Sequence, residues 1–376
     1  MTPGTEATHD GQSAWSLDEL LKKMPELKAS DLIITAGACP QYKVLGSLQP
    51  LGDTKLTPAD TEQLARNLMT EKQYEKFLAD RSIDMSTGIP DVARFRANVF
   101  FQRGSIAMAI RMIPFSIPEF QELGLPSIVE RFAMRPHGLV LITGPAGTGK
   151  STTMAAMINF INKRKSVHIV CMEDPIEYAH QHGRSIIHQR EILSDAHTFS
   201  EALRSVFRQA PDVIMVGEMR DIETIRLALQ LAETGHLILA TFHTHDTTQA
   251  ITRMVSVFPP HEQEQVYTVL SMVLLGVISQ CLIPTADNTR RVLAYEVLNV
   301  NNAVRNLIRE HQTQQIYSVL QTGKAEDMMT MNDSLKDLCD KGLVTDEMAM
   351  RRSPRPKELA RMLGLDPAAI LTDMTH

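Results

Sequence analysis

Leu139-Val140-Leu141-Ile142 leads into Gly144-Pro145-Ala146-Gly147-Thr148-Gly149-Lys150-Ser151, and that turn into Thr152-Thr153-Met154-Ala155-Ala156-Met157. An apolar strand, a glycine-rich turn and a helix therefore follow one another without interruption. The spacing G-x-x-x-x-G-K-[ST] points consecutive backbone N–H groups and the positive end of the helix at one anion. Glycines at these positions let the backbone approach phosphates with no Cβ in the way. Lys150 then reaches the outer phosphates as a point charge, and the Ser151 hydroxyl is placed to ligate a bridging Mg²⁺. Residues 144–152 are read as the nucleotide-binding segment.

Working outward from residue 139, short apolar strands alternate with amphipathic helices. The pattern predicts strands at 139–143, 167–172, 212–216 and 236–242, and helices at 150–162, 198–208 and 221–233. Such alternation is the signature of a mostly parallel sheet covered by helices. Ligands on these sheets sit beyond the carboxyl ends of the strands.

Several candidate residues fall at those ends. Glu218 follows Val213-Ile214-Met215-Val216-Gly217, where a carboxylate can hold a metal-bound water. Asp212 lies at the opposite end of that strand. Glu173-Asp174-Pro175-Ile176-Glu177 gathers three carboxylates in five residues, a repulsion that Mg²⁺ or a lysine can offset. Glu177 is the candidate general base, and Asp174-Pro175 reads as turn chemistry. His243 ends the strand 236–242 near the place of a γ-phosphate. The pairs His243/His245 and His180/His182 match H-x-H, but no third ligand lies at zinc-site spacing. His236, at the start of that strand, reads equally as structural or functional.

Upstream, Ser16 and Glu19 match a capping box ahead of Leu17, Leu20, Leu21 and Met24. Strands are predicted at 31–35 and 42–48, and Thr57-Pro58 opens a helix. Residues 92–100 alternate, with Phe95, Ala97 and Val99 on one face and Arg94, Arg96 and Asn98 on the other. A turn at Arg103-Gly104 returns the chain through 106–113 and sets Arg96 opposite Arg111. Like charges in that position destabilise a sheet. Either an anion faces them, or the long side chains splay apart in water.

The domain reading is a polar leader at 1–15, an N-terminal domain at 16–113, a linker at 114–126, a nucleotide-binding domain with C-terminal helices at 127–350, and an extension at 351–376. The linker rests on Pro114, Pro118, Gly124 and Pro126. Short helices, including 303–310 and 332–341, are expected after residue 285. The basic run Arg351-Arg352-Ser353-Pro354-Arg355-Pro356-Lys357 reads as a solvated tail ahead of a last helix ending near Leu363.

The 376 residues, 43 % hydrophobic and 22 % charged, describe an ordinary globular protein. A net charge of −6 with 5 % aromatic residues argues against a dedicated nucleic-acid binder. Four scattered cysteines suggest neither a disulfide framework nor a zinc ribbon, and a reducing cytoplasm fits them best. Between Glu264 and Asp287 no charge occurs. Thr268, Ser271, Gly276, Ser279, Gln280 and Pro284 interrupt that stretch, which reads as a buried helix and a short strand at 280–283 rather than a membrane span.

At these motifs the chain resembles the secretion and pilus ATPases, most closely the type IV pilus retraction (twitching motility, PilT-like) group. The resemblance rests on the phosphate loop, on Glu173 to Glu177 continuing into Gln189-Arg190-Glu191, on the segment from Ala210 to Asp221, and on Ala232-Glu233-Thr234-Gly235-His236-Leu237 with Thr241-Phe242-His243-Thr244. It runs from about Ser16 to about Met350. Ala303-Val304-Arg305-Asn306-Leu307-Ile308-Arg309-Glu310 also resembles that group's A-I-R-N-L-I-R-E motif, and also reads as an ordinary amphipathic helix. Ile33 departs from a position where the family often has His.

The resemblance implies an α/β fold, with a RecA-like P-loop ATPase domain and a smaller PAS-like α+β N-terminal domain. It implies catalytic roles for Glu177, Glu218 and His243, and a water-mediated Mg²⁺ contact at Glu218. It implies that Arg94, Arg96 and Arg111 are directed at ATP. It further implies a homohexameric, Mg²⁺-dependent ATPase that drives pilus retraction from the cytoplasmic side of the inner-membrane pilus base. Its implied partners are a platform protein and a second retraction ATPase, without nucleic acid or direct membrane insertion. The alternatives are an accessory or extension-type secretion/pilus ATPase and a RecA-type nucleic-acid translocase.

Overall fold

A computed structural model describes residues 15–44, 47–89, 92–113 and 116–366. The leader as far as residue 14, the start of the expected linker and the last ten residues of the extension lie outside them. The chain separates into two compact units, Met1–Phe115 and Ser116–His376.

The first unit is built on a six-stranded antiparallel sheet. Its strands are β1 (Ala29–Thr35), β2 (Gln41–Val44), β3 (Ser47–Pro50), β4 (Ser82–Ile89), β5 (Ala93–Gln102) and β6 (Ser105–Ile113), in the order β3-β2-β1-β6-β5-β4. Helices Leu17–Glu26, Pro58–Leu68 and Glu71–Asp80 pack on it. Their Leu20, Leu64 and Phe77 share a core with Leu32, Phe95 and Ile110, all 1 % exposed or less. Two expectations change. The stretch 42–48 is not one strand, because β2 and β3 pair antiparallel with Val44 opposite Ser47. Ser16 does stand at the helix N-cap, but its hydroxyl makes no capping bond. Burial of Leu17, Leu20, Leu21 and Met24 holds that helix instead.

In the β5–β6 pair Arg96 is directly opposite Arg111. The neighbouring strands relieve the conflict. Asp31 of β1 pairs with Arg111 at 2.9 Å, and Asp84 of β4 lies 3.9 Å from Arg96. Carboxylates of the same sheet thus flank the two guanidinium groups as anionic partners, and both arginine side chains stay partly exposed.

The second unit carries a seven-stranded sheet. Its strands are β7 (Gly138–Thr143), β8 (His168–Glu173), β9 (Ile186–Glu191), β10 (Val213–Val216), β11 (Leu237–Phe242), β12 (Leu274–Pro284) and β13 (Arg291–Asn299), in the order β13-β12-β7-β11-β10-β8-β9. All neighbours are parallel except β12 and β13. Strands β7, β10 and β11 are buried at every residue. Along β7, Leu139 and Leu141 enter one core, while Val140 and Ile142 enter the other. A layer on each face is what makes these strands continuous apolar runs rather than alternating ones.

Here too the structure corrects expectations. The uncharged stretch after Glu264 is the end of helix Pro260–Val273 followed by the eleven-residue strand β12, not a short strand at 280–283. Strand β13 stands where only short helices were expected, and edge strand β9 was not foreseen. Among the described residues no helix is long and apolar enough to cross a membrane. The expected linker contains helix Phe120–Leu123, whose buried Phe120 ring packs 4.9 Å from that of Phe160.

The basic run after Met350 is itself largely exposed, as read, but the helices on either side of it are packed. Helices Asp346–Arg352 and Pro356–Met362 bury Ala349, Met350, Leu359 and Ala360 against Ile283 and Ala294. Arg355 lies over the Tyr317 ring at 3.6 Å, and the Tyr317 hydroxyl donates to Glu358 at 3.0 Å. Charge described the run itself; the apolar residues that anchor the segment lie on either side of it.

Candidate active site

The turn after β7 is a cradle by construction. Gly144, Gly147 and Gly149 take φ of 143°, 77° and 88°, values that side chains oppose. At Gly144 a Cβ would lie 2.6 Å from the Gln280 carbonyl oxygen and 2.6 Å from Thr148 Oγ1. Thr148 donates its hydroxyl to the Pro145 carbonyl at 2.9 Å and braces the turn. Helix Lys150–Arg164 starts directly behind it. From the adjacent β12, Gln280 donates to Thr153 Oγ1 at 2.7 Å and ties that helix to the sheet.

A cleft of about 470 Å³ opens over this turn. Ala146, Gly147, Gly149, Lys150, Ser151 and Thr152 line it, together with Glu177, Glu218 and His243. Four segments that are distant in sequence thus converge because β7, β8, β10 and β11 run parallel and end on the same side. Lys150 is 8 % exposed and donates to the Gly144 and Pro145 carbonyls, each at 2.8 Å. Burial holds its pKa below the ordinary value, while the charges of Glu177 and Glu218 pull it back up. Both acids are therefore close enough to act on the same cation.

Glu218 is held from two sides. Its Oε2 meets Arg220 Nε at 2.8 Å and His243 Nε2 at 3.4 Å. The preceding Gly217 packs against the end of β8: its N–H donates to the Met172 carbonyl at 2.8 Å, and a Cβ there would lie 3.0 Å from that oxygen. Thr241 also donates its hydroxyl to the Gly217 carbonyl. Glu218 is thereby fixed at the junction of β8, β10 and β11.

The loop carrying Glu177 hangs from the unforeseen strand β9. Gln189 donates to Glu173 at 2.8 Å and to the Tyr178 carbonyl at 2.7 Å, and accepts from the His180 N–H at 2.8 Å. The Tyr178 hydroxyl shares a hydrogen bond with Thr152 at 2.9 Å, joining this loop to the helix behind the phosphate turn. Glu173 is buried, and burial pushes its carboxyl up to about 7. Burial holds His180 down to about 4, which keeps it neutral near pH 7.

Other candidates lie elsewhere. Asp212 accepts from the His168 N–H at the amino end of the sheet. His236 bonds the Leu231 carbonyl at 2.9 Å and serves the end of a helix. Arg94, Arg96 and Arg111 belong to the first unit, where β5 and β6 carry them. The cleft also contains Tyr178, Arg220, Leu282 and Arg291, to which sequence reasoning gave no role. Adjacency to Glu177 and Glu218 could have flagged the first two. Leu282 and Arg291 could be placed only once the β12–β13 hairpin was known.

Residues 100–351 match the model of the type II/IV secretion system protein family. The chain is 43 % identical to a twitching motility protein of Neisseria gonorrhoeae, across 92 % of this chain and 93 % of the relative. It is 42 % identical to the type IV pilus retraction ATPase PilT of Pseudomonas aeruginosa, across 91 % and 99 %. A crystal structure of the pilus retraction motor PilT with bound ADP superposes with a TM-score of 0.85 at 51 % identity, covering 92 % of this chain and 98 % of that one. Fold, ordered motifs and these similarities agree, and the chain belongs to the type II/IV secretion system protein family, among its type IV pilus retraction ATPases.

Proposed function

We propose that this protein is an ATP-hydrolysing motor that drives retraction of type IV pili. The observation that carries the reading is the convergence of Lys150, Glu177, Glu218 and His243 on one cleft over a phosphate-binding turn. The similarity to PilT across nearly the whole chain supplies the pilus.

Phosphoryl transfer to water needs positioning and charge stabilisation more than covalent chemistry. Lys150 and the turn's N–H groups hold the phosphates. Glu177 orients and deprotonates the attacking water. His243 bridges Glu218 to the region of the γ-phosphate. When bound with the nucleotide, Mg²⁺ supplies neutralisation of the phosphate oxygens; the Ser151 hydroxyl and, through water, Glu218 are the groups that would hold it. Arg94, Arg96 and Arg111 supply further positive charge for the transferring phosphoryl group. The motor is a homohexamer that works in the cytoplasm at the inner-membrane pilus base, against a platform protein and alongside a second retraction ATPase.

A steady-state ATPase assay with and without single-stranded DNA, paired with a gene deletion, tests the reading. Hydrolysis indifferent to DNA and hyperpiliated, non-retracting cells are expected. Stimulation by DNA, or normal retraction in the deletion strain, would overturn it.

A further inference from the structure

Away from the nucleotide cleft, a second concavity of about 280 Å³ is lined by Ile128, Arg131, Phe132, Arg135, Leu275, Asn299, Val300 and Arg305. It opens where β12 begins and β13 ends. Since β12 runs parallel to β7, this is the end of the sheet opposite the phosphate turn. Catalysis in such sheets occupies the carboxyl ends, so this pocket is separate from the hydrolytic machinery.

Its floor is apolar. Ile128, Phe132, Leu275 and Val300 are each 8 % exposed or less. The Phe132 ring fills the space where a Cβ on Gly276 would lie, only 2.2 Å away, so Gly276 is what admits it. The rim is cationic. Arg131 is neutralised by Asp327. Arg305 donates through Nη1 to the Ser271 and Met272 carbonyls at 2.8 and 2.7 Å, which fixes its guanidinium at the end of helix Pro260–Val273. Among the described residues, neither Arg135 nor Arg305 has a carboxylate within ion-pair distance. Burial, with Arg135's charge acting in the same direction, disfavours the charged form of Arg305.

Two like charges beside an apolar floor, one of them locked in place, are arranged to receive an anion. A guanidinium presents a planar fork that fits a carboxylate or a phosphate. Phosphate sites usually draw on helix N-termini. This pocket instead faces the negative, carbonyl end of a helix, which opposes an anion and opposes a dianion more than a monoanion, so the guanidinium groups must outweigh it. We propose that Arg135 and Arg305 form a binding site for a carboxylate carried on a short apolar stem. The stem lies on Phe132 and Leu275. The carboxylate comes either from a free small acid or from a Glu beside an apolar residue of a partner protein.

The test uses the full chain saturated with ADP, so that the phosphate turn is occupied, with isothermal titration of four probes. Hexanoate represents the free acid, a capped Glu-Leu peptide the protein source, hexanamide the uncharged stem and inorganic phosphate the dianion. Saturable binding of hexanoate or the peptide is expected, with the tighter of the two identifying the source. Arg135→Gln, whose exposed side chain is not needed for folding, weakens that binding by about 10-fold or more and leaves ADP affinity unchanged. Arg135→Lys restores part of it. Absence of saturable carboxylate binding, equal binding to Arg135→Gln, tighter binding of hexanamide, or tighter binding of phosphate that Arg135→Gln weakens would overturn the assignment.

Discussion

The Gln189 side-chain amide stands 2.8 Å from Oε1 of Glu173, a carboxyl that is 7 % exposed and pushed up to about 7. Burial is the main cause. The Gln189 bond and the Glu177 N–H oppose it, while the charges of Glu177 and Glu191 add to it. Because the folded pKa lies above the ordinary 4.5, the folded protein keeps this proton when the unfolded chain has lost it. Its contribution to stability is complete below about pH 4.5 and is lost as pH rises to about 7, a loss of about 3 kcal/mol. Glu173→Gln keeps an oxygen to accept from Gln189 and has no charge to bury. Urea unfolding between about pH 5 and pH 8 is therefore expected to show wild-type stability falling relative to the variant. Parallel curves would mean that Glu173 titrates as an ordinary carboxyl.

Glu177 is exposed at the cleft and its carboxylate acts on Lys150. Glu177→Gln is expected to bind ATP as the wild type does and to lower kcat by about 10²- to 10⁴-fold, the usual worth of a general base. Nucleotide titration beside single-turnover kinetics separates the two effects. Wild-type turnover would remove Glu177 from the chemistry.

Arg96 and Arg111 are 43 % and 70 % exposed, so their pairs with Asp84 and Asp31 are expected to contribute under about 1 kcal/mol each. Arg96→Gln or Arg111→Gln should accordingly leave the unfolding midpoint almost unmoved. If either arginine stabilises the transferring phosphoryl group, kcat falls by up to about 10³-fold. Asp31→Asn, which breaks the same ion pair and keeps Arg111, serves as the control and should retain activity. An unchanged kcat in both arginine variants would leave this face with a purely structural role.

Leu359 is fully buried beyond the basic run, against Ile283 and Ala294. Leu359→Ala is expected to destabilise the second unit by about 2–5 kcal/mol, the cost of a buried leucine lost to a cavity. Thermal or urea unfolding measures it. A shift near zero would return residues 351–363 to the status of a solvated tail.

Which parts of this fold were legible follows from how local their signals are. The phosphate turn, the alternation of strands with helices and the β5–β6 register are written in spacing, and a few adjacent residues specify each. Strand β13 and edge strand β9 are not, because partners far along the chain decide whether such short mixed segments form a ladder. The same is true within the site. Glu177, Glu218 and His243 could be named from strand ends, yet the Gln189 clamp required knowing that β9 lies beside β8. The exposure of Arg351 to Lys357 was legible in their charge, whereas the anchoring of Leu359 and Ala360 was not, because it needed a surface on which to pack.

Strand β7, which carries the phosphate turn, lies between β11 and β12, both of which come much later in the chain. During synthesis β7 must therefore wait without neighbours, since non-local pairings close only after the intervening chain exists. The Gln280 carbonyl that walls Gly144, and the Gln280 side chain that ties down Thr153, arrive with β12. A nascent chain released before that strand holds every residue of the glycine turn and still has no finished place for phosphate. Nucleotide can stabilise only the completed unit, because it shifts folding through the state that binds it. Translation of β12 is the earliest step at which the phosphate turn has its full walls, and nucleotide can act on the fold only from there on.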